Sequence, residues 1–405
     1  MDEILKKKVL LLGGSYFQIP AIKYAKEAGY YVITCDYLPN NPGHKFADEY
    51  YNISTTDKEV ILKLAKKLKI DGIVAYGSEP AVPAAAYVAE NLNLPGNSYD
   101  VVVKLIQKDL FRNFLKKNDF NVPKAKGYSS YREAIKDITR FKFPIMVKPV
   151  DSSASRGVRK IENKKDLKKA IEYALKYSNV KRIILEEFIV KKGPQLHGDA
   201  FVVGKKLVFC YLGDHHFDTN INTFVPCATT LPSLHAKKVI EKVENEVQKV
   251  IENIGFKQGA INIEARINKN DEVFIMEIGP RNGGHIVPQL ARYAGGLDMI
   301  KNTVEIALGN PVDLSTIAKK GFFAVYALPS EKTGKLAGIK ISDYLNPLII
   351  EKHIIKNSGE KIKPFTGINN TIGFFIFNFK NENQMHRLFS NINKYISVDL
   401  FTNLP

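Results

Sequence analysis

About the first 95 residues alternate between strand-like and helix-like segments, and this alternation limits the possible folds more than any other feature of the chain. "KVLLLGG" reads as a buried strand entering a glycine turn, "IPAIKYAKEAG" as a helix with Gly29 at its C-cap, and "YYVITCD" as a second strand. A helix, a strand and a helix follow in "DKEVILKLAKKLK", "DGIVAYG" and "AVPAAAYVAENL". The pattern predicts an open parallel α/β sheet.

The turn after the first strand, Gly13-Gly14-Ser15, raises the question of a dinucleotide site. Asp36 lies at about the spacing at which an acidic residue contacts a ribose hydroxyl, but the second and third glycines of GxGxxG are missing. The incomplete fingerprint does not favour NAD. A short glycine turn at the carboxyl end of a strand can still hold a small anionic substrate group, so Gly14 and Ser15 are candidate substrate contacts.

Bulk composition excludes several classes. The net charge of +17 invites a nucleic-acid interpretation, but the lysines are spread over helix-like stretches such as "LKLAKKLK", which favours solvated helix faces with some excess for anionic ligands. No apolar run approaches the roughly 20 residues of a membrane span, and "MDEILKKKVLLLGGS" lacks a signal-peptide pattern. The three cysteines are far apart, which favours reduced thiols and a cytoplasmic location.

The stretch "INIEARINKNDEVFIMEIGPRNGGH", residues 261–285, predicts a hairpin. With the turn at Asn270-Asp271, Arg266 faces Ile275 and Glu264 faces Glu277. Opposed carboxylates repel each other unless a cation lies between them, and magnesium takes carboxylate oxygens while leaving room for phosphate oxygens. The alternative is a hairpin in another register with both glutamates solvated.

Three further segments are weaker signals. Lys148 in "FPIMVKPV" is a lysine within an apolar strand, and the loop "DSSASRG" after it can wrap phosphate with backbone N–H groups. The alternative is a lysine that reaches water, followed by a flexible turn. "LEEFI", residues 185–189, fits an adenine-reading edge or an ordinary strand end. In "GPRNGGH", the guanidinium of Arg281 can donate two parallel hydrogen bonds to a phosphate or carboxylate. The alternative is a plain surface turn.

The histidine pair in "GDHHFD" suggests zinc at first sight, because Asp214 and Asp218 flank His215 and His216. Adjacent residues on a strand point to opposite faces, so the two imidazoles are poor co-ligands. The remaining interpretations are contacts to a substrate and solvated residues at a strand end.

Together, and in this order, "NLPGN", Lys108 in "QKDLFRNFL", "FPIMVKP", the small-residue loop, "LEEFI" and the paired glutamates with "EIGPRNGG" resemble the ATP-grasp superfamily. The resemblance covers residues ~1–310, and the strand-rich tail is similar to the small terminal domain of purine-biosynthetic and carboxylase members. It implies ATP and Mg²⁺ (or Mn²⁺) as cofactors.

The resemblance also implies roles for individual residues. The residues implied to bind ATP are Lys108, Lys148, Ser152, Ser153, Ala154, Ser155, Arg156, Gly157, Glu186, Glu187, Phe188, Ile189 and Gln195. Those implied to hold the metal are Glu264, Glu277 and Asn282, and those implied to stabilise the transferring phosphoryl group are Arg266 and Arg281. Candidate substrate residues are Gly14, Ser15, Glu79, His215, His216, Gly283 and Gly284.

Three departures from the family pattern stand out. Gln195 stands where many members have a ribose-binding glutamate, and the loop has the single glycine Gly157. Gly279 stands two residues after the second metal glutamate, where asparagine is common, and Asn282 is expected to compensate.

The predicted fold is α/β and α+β, with an N-terminal open parallel α/β domain, an ATP-grasp fold of two α+β subdomains and a small strand-rich C-terminal domain. The predicted boundaries are 1–100 for the N-terminal domain, 101–120 for one linking helix, 121–188 and 189–312 for the small and large subdomains, and 313–405 for the C-terminal part. The predicted activity is ATP-dependent joining of a small carboxylate to an amine through an acyl phosphate, in a possible homodimer. The alternatives are a phosphoribosylglycinamide synthetase and a non-catalytic ATP-binding protein.

Overall fold

The N-terminal part of the chain forms a four-stranded parallel sheet in the computed structural model, which describes residues 6–218, 221–315 and 321–401. Its elements are β1 (Lys8–Leu12), α1 (Ile19–Glu27), β2 (Tyr31–Asp36), β3 (Glu49–Asn52), α2 (Lys58–Leu68), β4 (Gly72–Val74) and α3 (Val82–Asn91). The strand order is β3-β2-β1-β4. Residues 9–12 of the central strand are fully buried because helices cover both faces of the sheet.

The predicted single helix over 101–120 is wrong, because the chain forms two helices there. α4 (Tyr99–Ile106) and α5 (Lys108–Lys117) are separated at Gln107, whose backbone is extended (φ −79°, ψ 109°). The N–H of Lys108 donates to Val150 O at 2.9 Å instead of continuing the helix. This break turns the start of α5 toward the neighbouring sheet.

That neighbouring sheet, here called the small sheet, is antiparallel. Its elements are β5 (Ala125–Tyr128), α6 (Tyr131–Asp137), β6 (Ile145–Pro149), β7 (Arg159–Ile161), α7 (Leu167–Leu175) and β8 (Ile183–Glu187). The strand order is β5-β8-β6-β7, and α6 and α7 pack on one face of it.

The large sheet begins with β9 (Gln195–Val203), β10 (Lys206–Phe217) and β11 (Pro226–Leu231). The next elements are α8 (Lys237–Ile254), β12 (Gly259–Ile267), β13 (Val273–Gly279), α9 (Val287–Ala294) and α10 (Met299–Ala307). The apolar stripe of α8 packs on one face of β9, β10, β12 and β13. On the opposite face, β9 carries the polar side chains of Gln195, His197 and Asp199 toward one end, while α9 and α10 cover Phe201 and Ala260 toward the other.

The C-terminal strands complete the large sheet rather than forming a sheet entirely of their own. The elements are β14 (Phe322–Leu328), β15 (Gly334–Ile341), β16 (Ile349–Ile354), β17 (Lys361–Ile362), β18 (Gly373–Phe379), α11 (Glu382–Phe389) and β19 (Ile396–Leu400). The large sheet runs β13-β12-β9-β10-β11-β14-β18-β16, and the remaining strands form a three-stranded sheet, β17-β15-β19. The predicted boundary at 312/313 therefore cuts through one continuous sheet.

The predicted fold class, a parallel α/β unit followed by mixed α+β units and a strand-rich end, is confirmed. The individual domain boundaries stay predictions. Across the part of the chain that the structure describes, every helix is too short or too polar to cross a membrane.

Candidate functional site

The hairpin of β12 and β13 places Glu264 directly opposite Glu277, as predicted. The prediction that Arg266 faces Ile275 is wrong, because Arg266 pairs with Phe274. The register shifts at a bulge, where Met276 has no partner on β12. The turn therefore centres one half-position earlier than predicted, and the bulge restores the opposition of the two glutamates.

Lys108, the first residue of α5, joins the hairpin to the loop after β6. Its Nζ donates to Ser152 O at 2.8 Å and lies 3.5 Å from Glu277 Oε2. The lysine is buried, and the carboxylates of Glu277, Glu79 and Glu264 raise its pKa against the opposing effect of desolvation. It therefore stays charged beside the paired glutamates.

A second buried cation cluster centres on Glu186 at the end of β8. Its two carboxylate oxygens accept from Lys148 Nζ at 2.6 Å and from Arg112 Nε at 2.8 Å. Desolvation opposes ionisation, but the two cations win and lower the pKa of Glu186 to about 2. Desolvation, together with Arg112 and Arg266, lowers the pKa of Lys148. Glu186, predicted to lie at adenine, thus acts here as the counter-ion of two cations.

Sequence reasoning gave no role to Arg112, which also donates from Nη2 to Met276 O at 2.8 Å and so supports the bulge. Its Nη1 is buried and has no partner within the described residues. The signal was present, since Arg112 lies four residues after Lys108 and the two share one face of α5.

Glu264 is tied to β9 through the side chain of Gln195. Gln195 Nε2 donates to Glu264 Oε2 at 2.9 Å, and Gln195 Oε1 accepts from Arg266 Nε at 2.9 Å. Arg266 also lies over the ring of Phe188 and donates to Ile189 O at 3.5 Å. The structure thus brings Arg266 to the segment predicted to read adenine.

The paired glutamates titrate differently because their surroundings differ. Burial and the charge of Glu277 raise the pKa of Glu264 to about 7. Glu277 is also desolvated, but Lys108 and Arg281 outweigh this and lower its pKa. The structure therefore holds two facing carboxylates of which one resists ionisation, and a divalent cation between them would remove that resistance.

The predicted phosphate loop, residues 152–157, is held by hydrogen bonds within the loop and by one to a residue outside it. Ser152 Oγ donates to Arg156 O at 3.0 Å, and Ser155 Oγ donates to Phe224 O at 2.7 Å. Ala154 (φ 54°), Ser155 (φ 56°) and Gly157 (φ 77°) all have left-handed backbones. Two of these residues are not glycine, so the loop is conformationally strained. Ser153 accepts from Arg156 N.

The segment 186–189 leaves few free donors for adenine. The N–H of Glu187 donates to Lys124 O at 2.9 Å, and the N–H of Phe188 donates to Pro144 O at 3.1 Å. Any adenine reading by Glu187 is therefore limited to its carbonyl.

The turn after β13 is fixed from two sides. Arg281 Nη2 donates to Glu79 Oε2 of the N-terminal part at 2.7 Å, while its Nε is buried and has no partner among the described residues. Asn282 is fully buried, and its Oδ1 accepts from Thr303 Oγ1 at 3.0 Å. Arg281 therefore keeps one donor for a ligand, whereas the predicted metal contact of Asn282 competes with a structural bond.

The N-terminal glycine turn is closed by side chains. Gly14 N donates to Asp36 Oδ2 at 2.9 Å, so Asp36 has a structural role in this turn. Ser15 donates from N and Oγ to Gln18 Oε1. Both predicted substrate residues, Gly14 and Ser15, therefore form hydrogen bonds within the turn. Gln18 Nε2 in turn donates to Tyr76 O.

Three histidines converge on the polar face of the large sheet. The ring of His215 stacks on that of His197, with centroids 3.8 Å apart, and His197 lies opposite Glu264 across the strands. His285, after the Gly283-Gly284 turn, interacts electrostatically with both. His216 points to the opposite face and bonds Thr230 Oγ1 at 2.8 Å, as expected for adjacent residues on a strand.

Asn262 and Asp199 complete this polar face. Asn262 Nδ2 donates to Asp199 Oδ1 at 2.7 Å and bonds His197 Nε2 at 3.0 Å, and Gly283 N donates to Asp199 Oδ2 at 2.9 Å. Burial raises the pKa of Asp199 to about 6 and lowers that of His197 to about 3. Sequence reasoning missed His197, Asp199 and His285, and only their placement in the fold identifies them.

Two carboxylates in this geometry suit one kind of metal. Among the residues described, no group of three or more His, Cys, Asp or Glu side chains could hold a metal ion by itself. Magnesium usually binds through one or two carboxylates and completes its shell with water and phosphate oxygens. Glu264 and Glu277 therefore fit magnesium better than zinc.

Comparison with known proteins gives a consistent picture. Residues 141–289 match the family model of the ATP-grasp domain. The C-terminal section of the carbamoyl phosphate synthase large chain from Aquifex aeolicus is 22% identical over 350 residues, which cover 81% of this chain and 64% of the relative. The chain therefore spans just under two thirds of that relative's length.

Solved structures match over nearly the whole chain. The L-amino acid ligase from Bacillus licheniformis is 18% identical with a TM-score of 0.81, covering 98% of this chain and 99% of that one. Phosphoribosylglycinamide synthetase from Anaerococcus prevotii is 22% identical with a TM-score of 0.76, covering 98% and 100%. At these identities the likeness establishes the fold.

Proposed function

Because the chain carries an ATP-grasp domain in residues 141–289, we propose that it is an ATP-dependent ligase that joins a carboxylate to an amine. In the proposed reaction a substrate carboxylate oxygen attacks the γ-phosphorus of ATP, and ADP leaves. The amine then attacks the acyl carbon, its proton is released, and phosphate leaves with one oxygen of the original carboxylate.

The observation that carries the proposal is the charge arrangement between the two sheets. Four cationic side chains, Lys108, Arg112, Lys148 and Arg266, accompany three carboxylates, Glu186, Glu264 and Glu277. Lys108, Arg112 and Glu186 are buried and the other four are partly buried, and unbalanced charge is expensive in such surroundings. A structure that maintains an excess of cations beside two opposed glutamates fits a ligand with phosphate oxygens and a divalent cation.

We assign the following roles. Lys108 and Lys148 would contact the phosphates of ATP, the loop 152–157 would cover them, and Glu264 and Glu277 would hold magnesium. A magnesium ion held by these two glutamates would supply positive charge that neutralises the charge developing during phosphoryl transfer.

Arg281 and Arg266 are assigned different roles in this proposal. The free Nε of Arg281 supports contact with the transferring phosphoryl group. The contacts of Arg266 with Phe188 and Ile189 support a position beside adenine, so its predicted phosphoryl contact falls to Arg281 in this proposal. Closure of the loop over the acyl phosphate would exclude water, which otherwise hydrolyses it.

A cytoplasmic location and a homodimer remain part of the proposal. Cys35, Cys210 and Cys227 are free thiols, which supports a reducing compartment. Light scattering of the purified protein distinguishes a dimer from a 45.5 kDa monomer.

The test is ADP release from magnesium–ATP with pools of carboxylates and amines crossed pairwise, with glycine and phosphoribosylamine as one pair. We expect ADP with one carboxylate–amine pair, a loss of about 100-fold or more in Glu277→Gln, and full activity in Glu241→Gln. Glu241 is a matched control because it is a 54% exposed surface glutamate. ADP with only the glycine pair would replace the general proposal by the purine-pathway alternative. Tight ATP binding with no ADP in any pool would support a non-catalytic protein.

A further inference from the structure

A small cavity lies where the N-terminal part meets the turn that follows the metal hairpin. Its volume is about 20 Å³, enough for one small group. It is lined by Phe17, Tyr76, Gly77, Gly283, Gly284, Ile286, Pro288 and Gln289. None of these side chains carries a charge.

Two residues that line this cavity carry a buried polar atom with no partner within the described residues. The phenol oxygen of Tyr76 is buried and unbonded, and the residue is 4% exposed. Gln289 Oε1, on α9, is also buried and unbonded. Buried polar groups in native proteins nearly always have a hydrogen-bond partner, so unpartnered polar atoms on two residues that line one small cavity point to a bound group.

The three histidines on the polar sheet face, His197, His215 and His285, here called the histidine layer, adjoin the cavity through His285. His285 flanks the cavity between Gly284 and Ile286, and its Nε2 has no partner among the described residues. His215 is 4% exposed, and both its ring nitrogens lack partners there. His197 is satisfied by Thr229 and Asn262. Among the residues described, His215 and His285 therefore carry unsatisfied ring nitrogens, and the stacking of His215 on His197 places His215 on the same sheet face as Glu264.

The surrounding charges disfavour an anion in the cavity. The N–H of Gly283, which could otherwise bind an anion, donates to the buried carboxylate of Asp199. Asp199 also interacts electrostatically with Tyr76. Arg281, whose Nε is assigned to the transferring phosphoryl group, is not among the residues that line this cavity. A phosphate or carboxylate there would lie near that carboxylate, and none of the eight lining residues named above is cationic.

We propose that this cavity is the specificity subsite of the ligase and takes an uncharged hydrogen-bonding end of a substrate, such as a hydroxyl or carboxamide. Tyr76 donates or accepts, Gln289 Oε1 accepts, and the histidine layer holds the part of the substrate nearer the metal hairpin. The subsite rejects phosphorylated and dicarboxylate substrates. This inference rests on the proposed function.

The experiment compares substrates that differ only at that end in the ADP-release assay. Serine is paired with phosphoserine, asparagine with aspartate, and glutamine with glutamate, each offered as carboxylate and as amine with the crossed pools. We expect kcat/KM to be ~30-fold or more higher for the uncharged member, because the cavity offers it hydrogen bonds and offers the anion none.

Two variants test the residues. Tyr76→Phe removes only the phenol oxygen, and we expect KM for the uncharged substrate to rise ~10-fold with little change in kcat. Ligand-free Tyr76→Phe should keep or increase its Tm, because the lost hydroxyl had no partner, whereas a structural role predicts a lower Tm. Gln289→Leu gives a second, independent variant with the same expected rise in KM. Tyr128→Phe is the control, since Tyr128 is equally buried, at 4%, but bonds Asp137 in the small sheet.

The outcomes separate the two proposals. ADP release without any preference for uncharged ends, or with a preference for anionic ones, overturns the subsite and leaves the ligase intact. Unchanged KM in both Tyr76→Phe and Gln289→Leu means that the cavity holds only a water molecule, which also overturns it. Absence of ADP with every pair overturns the proposed function and the subsite with it.

Discussion

Replacing Arg112 should weaken the whole protein, because its partner Glu186 would stay buried with one cation instead of two. Arg112 and Glu186 have side chains that are 3% and 2% exposed, and Nε lies 2.8 Å from Oε2. Removing one partner of such a pair costs about 3–5 kcal/mol. The pKa of Glu186, which Arg112 and Lys148 together lower to about 2 against desolvation, agrees with the direction of this cost.

The pH dependence follows from the sign of that shift. Because the folded-state pKa of Glu186 is lowered, its stabilising contribution is present above the unfolded value near 4.5 and is lost as the pH falls toward 2. The destabilisation in Arg112→Met should therefore be full at pH 7.5 and smaller below pH 4.5. Once Glu186 is protonated, near pH 2, the ion pair no longer contributes to the difference in stability between the variant and the parent protein.

The assay is urea unfolding followed by tyrosine fluorescence, which suits a chain with 19 tyrosines and no tryptophan. Arg140→Met is the control, because Arg140 is 68% exposed and its pair with Asp137 contributes about 0–1 kcal/mol. A loss below about 1 kcal/mol in Arg112→Met at pH 7.5 would show that Arg112 is not an essential counter-ion of Glu186. So would a loss that does not diminish in acid.

Three further predictions concern the metal, the loop and ATP. The pKa of Glu264 is raised to about 7, so the ligand-free fold loses stability as the pH rises from about 4.5 to 7. Saturating magnesium should therefore raise Tm more at pH 8 than at pH 6. Glu264→Gln should abolish the magnesium effect. Gly157→Ala should destabilise the protein by about 1–3 kcal/mol in urea unfolding, since φ is 77° and the new Cβ would lie 2.7 Å from the ring of a proline, whereas Gly338→Ala, in open space, should be near neutral. Lys148→Met should raise the KM for ATP by about 10- to 100-fold through loss of a charged hydrogen bond, while Lys168→Met, at a 64% exposed side chain, should not.

Local signals predicted the parts of this structure that depend on nearest neighbours. The strand and helix alternation predicted the parallel N-terminal sheet, and the turn chemistry at Asn270-Asp271 predicted the hairpin. The register of the hairpin also depends on a contact with a distant element. The bulge at Met276, which Arg112 of α5 supports, decides which residue faces Arg266. A pairing rule that counts residues along two strands cannot see such a contact.

The break at Gln107 has the same origin. Residues 99–117 have a continuous helical pattern, but the N–H of Lys108 finds its acceptor in Val150, which comes 42 positions later. The partner of Lys148 and the convergence of His197, His215 and His285 likewise come from strand pairing between distant segments. The type of a residue does not indicate which distant residues it contacts. The sequence therefore identified Lys148 and His215 as candidates but could not predict their partners.

The claim that this chain activates a carboxylate by phosphoryl transfer is tested most directly with an oxygen-18-labelled carboxylate. With the carboxylate–amine pair identified by ADP release, the labelled substrate is converted in a single turnover and the phosphate product is examined by mass spectrometry. We expect one oxygen-18 atom in each phosphate, because the carboxylate oxygen that attacks ATP leaves with the phosphoryl group. Phosphate without label, formed at the same rate as ADP, would contradict it.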